Sequence, residues 1–226
     1  MGVLRRAVGL AGYGSLAGVV ALVGLTYQCK IRPVDSNDYI YNHTQYARLN
    51  PNNSPATHDV CLRKVPLRDI KPELLEKEGK LVEAFCAGVW SGVGYAYQRR
   101  YLEKKYRGPE TASQLWERKE LQQSTYNIGT QITDHFEVVS KSSESIIVRC
   151  GDSPRVKDTR DSDGLFEMTV SIDRKKHVAE FGLKSVFFNS LSGYKSVDPP
   201  MPWHIQWLHQ WYDKILMESA IRNVTR

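Results

Sequence analysis

An uncharged run near the N-terminus constrains this chain more than any other feature. Residues 7–29 contain no charged side chain; two arginines precede the run, and Lys30 and Arg32 follow it. At about 1.5 Å of rise per residue, a helix of this length spans the hydrocarbon layer of a bilayer, about 30 Å thick. A signal peptide has a shorter apolar segment of about 7–15 residues. The run therefore predicts a transmembrane anchor within residues 1–32, and a cleaved secretory or mitochondrial presequence is the alternative.

The basic charge of the chain is concentrated beside this run. The formal net charge is +6, and the four basic residues that flank the run leave only +2 for residues 35–226. A nucleic-acid-binding domain carries a basic patch, so a nearly neutral domain argues against that class of partner. The slight positive excess before the run favours a cytoplasmic N-terminus and a lumenal domain. We expect a single-pass protein of the endoplasmic reticulum rather than of the mitochondrial inner membrane.

Asparagine triplets and cysteines bear on the same compartment. Three Asn-X-Ser/Thr triplets are possible glycosylation sites of a lumenal domain. Their asparagines are Asn42, Asn52 and Asn223. The four cysteines are Cys29, Cys61, Cys86 and Cys150. Cys29 lies at the membrane edge of the predicted anchor. The other three follow no metal-ligand spacing and cannot all pair with one another, so we interpret them mainly as small buried hydrophobic side chains.

The remaining chain changes from helical to strand periodicity near residue 129. Residues 33–57 are polar and contain prolines, which predicts a tether with little regular structure. Residues 58–67 alternate as a strand, and two helical stretches follow, separated by a segment in which glycines predict a bend or a close helix contact. The last predicted elements are strands at 129–139, 145–150, 165–172 and 178–188 and a helix at 204–222.

This order of elements predicts a soluble α+β domain, at residues 58–226, that binds a ligand. We expect one antiparallel sheet whose apolar faces cover a stripe of the final helix, from Ile205 to Ser219. The layout resembles the helix-grip fold of the START and polyketide-cyclase superfamily, in which the sheet wraps a long C-terminal helix around a cavity. A hot-dog or a cone-shaped α+β domain is the alternative.

Asp134 is the candidate catalytic residue. Strand alternation places Asp134 on the same face as Ile132 and Phe136, so its carboxylate is expected to point to the apolar side of the sheet. Burial raises the pKa of a carboxyl group, which can then donate or accept a proton. The alternative is a structural hydrogen-bond partner.

The candidate ligand-binding residues lie in a loop and on two helices. Arg149 ends a predicted strand and Asp152 follows it in a loop, where ligand contacts concentrate, although an ordinary turn explains the same residues. Aromatic side chains on the helices could line a pocket for a flat or polyene ligand. They are Trp90, Tyr97, Trp207 and Trp211. The basic run at 98–107 is either a solvated helix face or a contact with anionic lipid.

Motifs for metals, nucleotides and covalent catalysis are not found in the sequence. It contains no HExxH, P-loop, GxSxG or CxxC motif, and the six histidines are scattered. We therefore expect neither a metal nor a cofactor.

Four segments resemble a family of small fungal proteins with one membrane span. They are residues 80–92, 129–136, 148–154 and 181–188. Some members resemble membrane-bound cyclases of polyketide–nonribosomal-peptide pathways, including those that make decahydrofluorene cores. The resemblance implies a membrane-anchored, cofactor-independent cyclase of the pericyclase or isomerase type, acting on a hydrophobic polyketide-derived intermediate in fungal secondary metabolism. Its partners would be the bilayer, this small molecule and other membrane-bound pathway proteins. A non-catalytic carrier of lipids or hydrophobic ligands and a scaffold protein are the alternatives.

Overall fold

A seven-stranded antiparallel sheet organises the chain. The computed structural model describes residue 18, residues 20–191 and residues 197–226. The strands are β1 (Lys30–Arg32), β2 (Thr57–Pro66), β3 (Gln131–Ile132), β4 (Phe136–Lys141), β5 (Ser145–Cys150), β6 (Asp163–Asp173) and β7 (Val178–Phe188). They lie in the order β1-β2-β7-β6-β5-β4-β3, with every neighbouring pair antiparallel. The predicted α+β class with one antiparallel sheet is confirmed.

Helices lie on both faces of this sheet. They are α1 (Thr44–Leu49), α2 (Lys80–Ser91), α3 (Ala96–Tyr106), α4 (Arg118–Gln123) and α5 (Trp203–Val224). Four short 3₁₀ turns lie at Tyr39–Asn42, Leu67–Asp69, Pro72–Leu74 and Pro109–Thr111. The long helices α2 and α5 pack against each other and against the sheet, and enclose the main hydrophobic core. The predicted long C-terminal helix is confirmed.

Glycines allow α2 to approach α5 closely. A Cβ atom on Gly88 would lie 2.8 Å from the Cα of Ala220, and one on Gly92 would overlap the hydroxyl of Ser219. No larger side chain fits at these positions without moving α5. The close helix contact predicted from the glycine-rich segment is therefore confirmed.

The C-terminal helix buries the predicted stripe only in its second half. Ile205 and Leu208 are exposed, and the packed half of the helix begins near Tyr212. Its buried residues are Asp213, Leu216, Met217, Ser219, Ala220, Ile221 and Val224. The predicted stripe is wrong for the first half of α5, because that half extends past the packed core.

Residues 129–139 do not form one continuous strand. β3 ends at Ile132 and β4 begins at Phe136, because Thr133 and Asp134 both adopt a positive φ of 50°. This turn removes Asp134 from the alternation that the sequence predicts. The prediction of a single strand is wrong at this point.

Residues 33–57 cover the second face of the sheet instead of forming an unstructured tether. They contain a 3₁₀ turn and α1, and Ile40, Tyr46 and Leu49 are buried there. These side chains pack on Ile147 and other residues of the sheet face that points away from α2 and α5. The prediction failed because the segment is mostly polar, so its few apolar residues were not recognised as packing residues.

The predicted membrane anchor lies mostly outside the described residues. Within residues 7–29, the structure describes residue 18 and residues 20–29, and residues 20–26 are helical. Among the described residues, no helix has the length and apolar character needed to span a membrane.

Candidate functional site

A cavity of about 700 Å³ opens where β5 and β7 end and β4 and β6 begin. Its apolar lining consists of Trp90, Tyr95, Phe136, Phe166, Phe187, Phe188, Pro200, Met201, Pro202, Ile205 and Leu216. Its polar lining includes Gln98, His135, Asp161, Asp163, Asn189, His209, Tyr212 and Asp213. Small-molecule sites have volumes of about 300–1,000 Å³ and are mostly apolar with a few polar groups. The cavity has both properties.

Aromatic packing at the end of α2 shapes the cavity wall. The ring of Trp90 lies 4.5 Å from that of Phe136 and 5.1 Å from that of Tyr95, measured between ring centres. Tyr95 shares a hydrogen bond of 2.5 Å with the hydroxyl of Thr133 in the β3–β4 turn. These contacts fix the wall on rigid elements, and the sequence prediction that Trp90 faces a pocket agrees with its position.

Two carboxylates and an imidazole lie together at this wall. His209 and Asp213 are one turn apart on α5, and Asp59 belongs to β2. The Nε2 atom of His209 lies 3.2 Å from Oδ2 of Asp213 and 3.7 Å from Oδ1 of Asp59. His209 and Asp213 line the cavity, whereas Asp59 is not among its lining residues. These three residues are named the Asp–His–Asp cluster below.

The polar atoms of the Asp–His–Asp cluster are buried and poorly satisfied. The side chains of Asp59 and Asp213 are 2% and 1% exposed. Neither carboxylate, nor Nε2 of His209, makes a hydrogen bond of good geometry to any described residue. Ser185 lies opposite Asp59 in the β2–β7 register, and its hydroxyl is also buried without a partner. Such groups cost stability, so the cluster is a candidate for a functional role.

Burial and neighbouring charges shift the pKa values of Asp59 and His209. Burial, together with the negative charge of Asp213, raises the pKa of Asp59 to about 6. For His209, burial acts to lower the pKa, but the close contact with the Asp213 carboxylate and the charge of Asp59 outweigh burial and raise the pKa above 6.5. The cluster can therefore hold or release a proton near neutral pH.

The Asp–His–Asp cluster also has the donor atoms of a cation site. Each residue offers one ligand atom, and these atoms lie within 4.8 Å of one another. Carboxylate oxygens and an imidazole nitrogen at this spacing suit a divalent cation such as Zn²⁺. A cation and a proton would compete for the same lone pairs.

Asp134 occupies a different place from the one predicted. It is 1% exposed, as the alternation argument expects, but it is not among the residues that line the cavity. Its carboxylate accepts hydrogen bonds from Gln114 at 3.1 Å, Ser153 at 2.8 Å and Arg155 at 2.9 Å. Although burial acts to raise the pKa of Asp134, these donors, led by Arg155, lower it. The expectation of a raised pKa is wrong, because the sequence does not reveal the arginine.

Arg149 and Asp152 likewise lie outside the cavity lining. The buried guanidinium of Arg149 pairs with Asp163 through two hydrogen bonds of 2.9 and 2.6 Å. It also donates to the carbonyl groups of Lys157 and Asp158, which holds the loop after β5 in place. Asp152 is exposed and accepts a hydrogen bond of 2.6 Å from the backbone of Ser153. This geometry matches the turn alternative.

The other predicted aromatic residues lie on the outer surface. Tyr97 is 85% exposed, Trp207 is exposed and Trp211 is half-buried, and none of the three lines the cavity. The ring of Trp211 packs 6.2 Å from that of Trp207. Of the four predicted aromatic residues, only Trp90 lines the cavity.

The predicted glycosylation sites differ in accessibility. Asn42 and Asn52 are exposed. Asn223 is half-buried, and its side-chain amide donates a 2.7 Å hydrogen bond to the carbonyl of Ala84. The structure therefore leaves the amide nitrogen of Asn223 poorly placed to carry a glycan. All four cysteines are buried and free, and the burial of Cys61, Cys86 and Cys150 agrees with the prediction.

The Asp–His–Asp cluster was missed because its members are distant in sequence. His209 and Asp213 follow the spacing that puts two side chains on one helix face, which is a detectable signal. Nothing in the sequence connects this pair with Asp59, which reaches the cluster only because α5 packs against β2.

A scan against protein-family models, a search of curated proteins and a search of solved structures each found no match to this chain. The cavity and the Asp–His–Asp cluster therefore carry the functional argument.

Proposed function

We propose that this chain is an enzyme that binds a hydrophobic small molecule in the cavity and promotes its cyclisation or isomerisation by proton transfer, without a cofactor. One observation carries the proposal. An apolar cavity of about 700 Å³ contains, at its wall, an imidazole paired with buried carboxylates that have no hydrogen-bond partner of good geometry. An apolar site with a few convergent polar groups of shifted pKa is a good candidate for an active site.

His209 is the proposed acid and base. Its imidazolium form would donate a proton to a carbonyl oxygen of the substrate, which makes the adjoining carbons more reactive towards ring closure or double-bond migration. The neutral imidazole would then take a proton back from the product, so that the enzyme is regenerated and no other reactant is needed. General acid–base catalysis of this kind contributes about 10²–10⁴-fold to a rate.

The two carboxylates support this role by placing negative charge beside the same imidazole nitrogen, Nε2. Asp213 contacts His209 directly at 3.2 Å, so it orients the ring and stabilises the imidazolium. Asp59 adds a second negative charge at 3.7 Å and keeps the proton at the cluster. The aromatic wall around Trp90 would keep water away from a bound substrate, which strengthens these charge interactions. The shape of the wall would also hold a flexible substrate chain in a reactive conformation.

The proposed substrate class comes from the resemblance noted in the sequence. It is a hydrophobic polyketide-derived intermediate of fungal secondary metabolism. The uncharged run at residues 7–29 supports a single-pass membrane protein of the endoplasmic reticulum, close to lipid-soluble substrate and to other membrane-bound enzymes of the pathway.

The proposal can be tested by deleting the gene and profiling metabolites. We expect a cyclic product to disappear and an uncyclised precursor to accumulate. The wild-type gene should restore the product, whereas His209→Ala should not. His204→Ala is the matched control, because His204 is exposed on the same helix and does not line the cavity. An unchanged metabolite profile in the deletion strain would contradict the proposal.

A non-catalytic carrier is the second candidate, because the apolar lining alone would suit it. A carrier needs the cavity but not a proton donor. Complementation by His209→Ala, together with failure of a variant that fills the cavity, such as Leu216→Trp, would favour the carrier.

A further inference from the structure

The first half of α5 exposes a large uncharged surface. Residues 199–212 contain no aspartate, glutamate, lysine or arginine. Trp203 is 79% exposed, and Trp207 and Leu208 are also exposed. Indole rings are costly to leave in water, and exposed apolar patches of this kind mark an interaction site.

The outer face of α3 combines aromatic and basic side chains. Tyr97, Arg100, Tyr101 and Lys104 are all exposed, and their spacing places them on one face of the helix. The acidic residue of this helix, Glu103, is half-buried and pairs with arginines at both neighbouring turns. The exposed face of α3 is therefore aromatic and positively charged.

These two helices meet at the cavity. The hydroxyl of Tyr212 on α5 donates a 2.7 Å hydrogen bond to the side chain of Gln98 on α3, and both residues line the cavity. Ile205 is 43% exposed and also lines the cavity. The two helices that carry the exposed aromatic surface therefore also contribute residues to the cavity lining.

We propose that this surface, formed by Trp203, Trp207 and Leu208 with Tyr97, Arg100, Tyr101 and Lys104, docks on the headgroup layer of an anionic bilayer and turns the cavity mouth towards lipid. Tryptophan and tyrosine concentrate at membrane interfaces, where one end of the ring is apolar and the other is hydrated. Lysine and arginine beside them attract anionic headgroups. If this surface paired with the same surface of a second copy, the positively charged side chains of two α3 helices, Arg100 and Lys104, would be brought together.

The proposal goes beyond the enzymatic function and does not depend on it. A ligand dissolved in lipid would enter the cavity without crossing water, whether it is converted or only carried. It is also independent of residues 7–29, since docking concerns the orientation of the folded domain at the membrane surface.

Fluorescence quenching by brominated lipid tests this docking. The full-length chain is reconstituted into phosphatidylcholine–phosphatidylglycerol vesicles that contain phospholipid brominated near the headgroup end of its acyl chains. The chain has five tryptophans, and Trp90 and Trp116 are buried in the protein core. If Trp203 and Trp207 reach lipid, about two fifths of the emission should be lost, whereas the variant W203F/W207F should lose little.

A reporter elsewhere on the surface supplies the control. In the W203F/W207F/W211F background, Ile172→Trp places an exposed indole at the opposite end of β6 from the cavity residue Asp163. This indole should not be quenched. Arg100→Glu with Lys104→Glu should reduce quenching of the native tryptophans, and more so in anionic vesicles than in purely zwitterionic ones.

Three results would overturn the proposal. Unquenched Trp203 and Trp207 would show that this surface faces water, a second copy or a partner protein. Equal quenching of the Ile172→Trp reporter would show that the domain has no preferred face towards lipid. Loss of the chain from floated vesicles would exclude membrane docking altogether.

Discussion

His209 and Asp213 form an ion-pair contact of 3.2 Å between Nε2 and Oδ2, one turn apart on α5 and at the wall of an apolar cavity. The second carboxylate, Asp59, comes from β2 and lies 3.7 Å from the same nitrogen. A helix and a strand therefore jointly hold one imidazole against two buried carboxylates. This arrangement is the basis of the predictions below.

Asp213→Asn should lower the pKa of His209, because the close contact with the Asp213 carboxylate contributes most to raising it above 6.5. We expect the rate to fall about 10–100-fold at neutral pH, and the pH dependence of the remaining activity to move to lower pH. The pKa can be followed by NMR of the imidazole protons. Asp173→Asn, which changes an exposed carboxylate in the β6–β7 hairpin, is the control. An unchanged His209 pKa in Asp213→Asn would contradict this assignment.

Asp59→Asn should stabilise the fold while it impairs activity. The pKa of Asp59 is raised from 3.8 to about 6, so the native state binds this proton more tightly than the unfolded state. The contribution of Asp59 to the stability of the wild type is therefore complete below about pH 4 and is lost as the pH rises to about 6. The loss of this penalty should make Asp59→Asn more stable by up to ~3 kcal/mol above pH 6.

Chemical denaturation at several pH values measures this difference. The advantage of Asp59→Asn should vanish well below pH 4, where Asp59 is protonated in both states. A variant that is less stable than the wild type at pH 7 would mean that the Asp59 carboxylate stabilises the fold, and would remove the argument that it is kept for function.

Divalent cations should inhibit the enzyme rather than activate it. The three ligand atoms of the Asp–His–Asp cluster lie within 4.8 Å of one another, so Zn²⁺ can bind there and occupy the lone pair that carries the catalytic proton. We expect full activity after treatment with a chelator and a loss of activity as Zn²⁺ is added. Activity that disappears with the chelator and returns with a cation would overturn the proton-transfer account and identify a metal site.

Asp134→Asn should destabilise the domain by about 1–3 kcal/mol and leave the chemistry of the folded fraction largely intact. The carboxylate of Asp134 joins the β3–β4 turn to Ser153 and Arg155 in the loop after β5. Because its pKa is lowered, the stability that it contributes is present above about pH 4 and is lost as the pH falls further.

Thermal unfolding beside an activity assay at a permissive temperature separates stability from chemistry. Gln114→Ala is the matched variant, because Gln114 contacts Asp134 and no cavity residue is changed. A stable Asp134→Asn protein with little activity would restore Asp134 as a catalytic candidate.

The sequence predicts the elements of this fold better than their junctions. Alternation identifies β2, β5, β6 and β7 nearly to the residue, because each has a buried face. It fails at Thr133 and Asp134, where a turn with positive φ interrupts an apparently regular strand. The turn depends on the contacts of Asp134 with Gln114 and Arg155, which are distant in sequence.

The candidate site was only partly predictable for the same reason. Trp90 was predicted to line a pocket from the aromatic residues at helical spacing, but the same pattern also gave Tyr97, Trp207 and Trp211, which do not line the cavity. The shift in pKa of Asp59 depends on the approach of α5 to β2, and periodicity contains no information about that distance. The sequence correctly predicted that the Asp134 carboxylate is buried. It did not predict the contact with Arg155, which lowers the pKa of Asp134 although burial acts to raise it.

Conversion of the accumulated precursor by purified protein tests the central claim most directly. The full-length chain in lipid vesicles is mixed with extract of the deletion strain, and the cyclic product is quantified over time. The account predicts conversion by the wild type and by His204→Gln. For His209→Gln it predicts a rate that is lower by at least about 100-fold. Conversion by His209→Gln at the wild-type rate would contradict proton transfer by the Asp–His–Asp cluster.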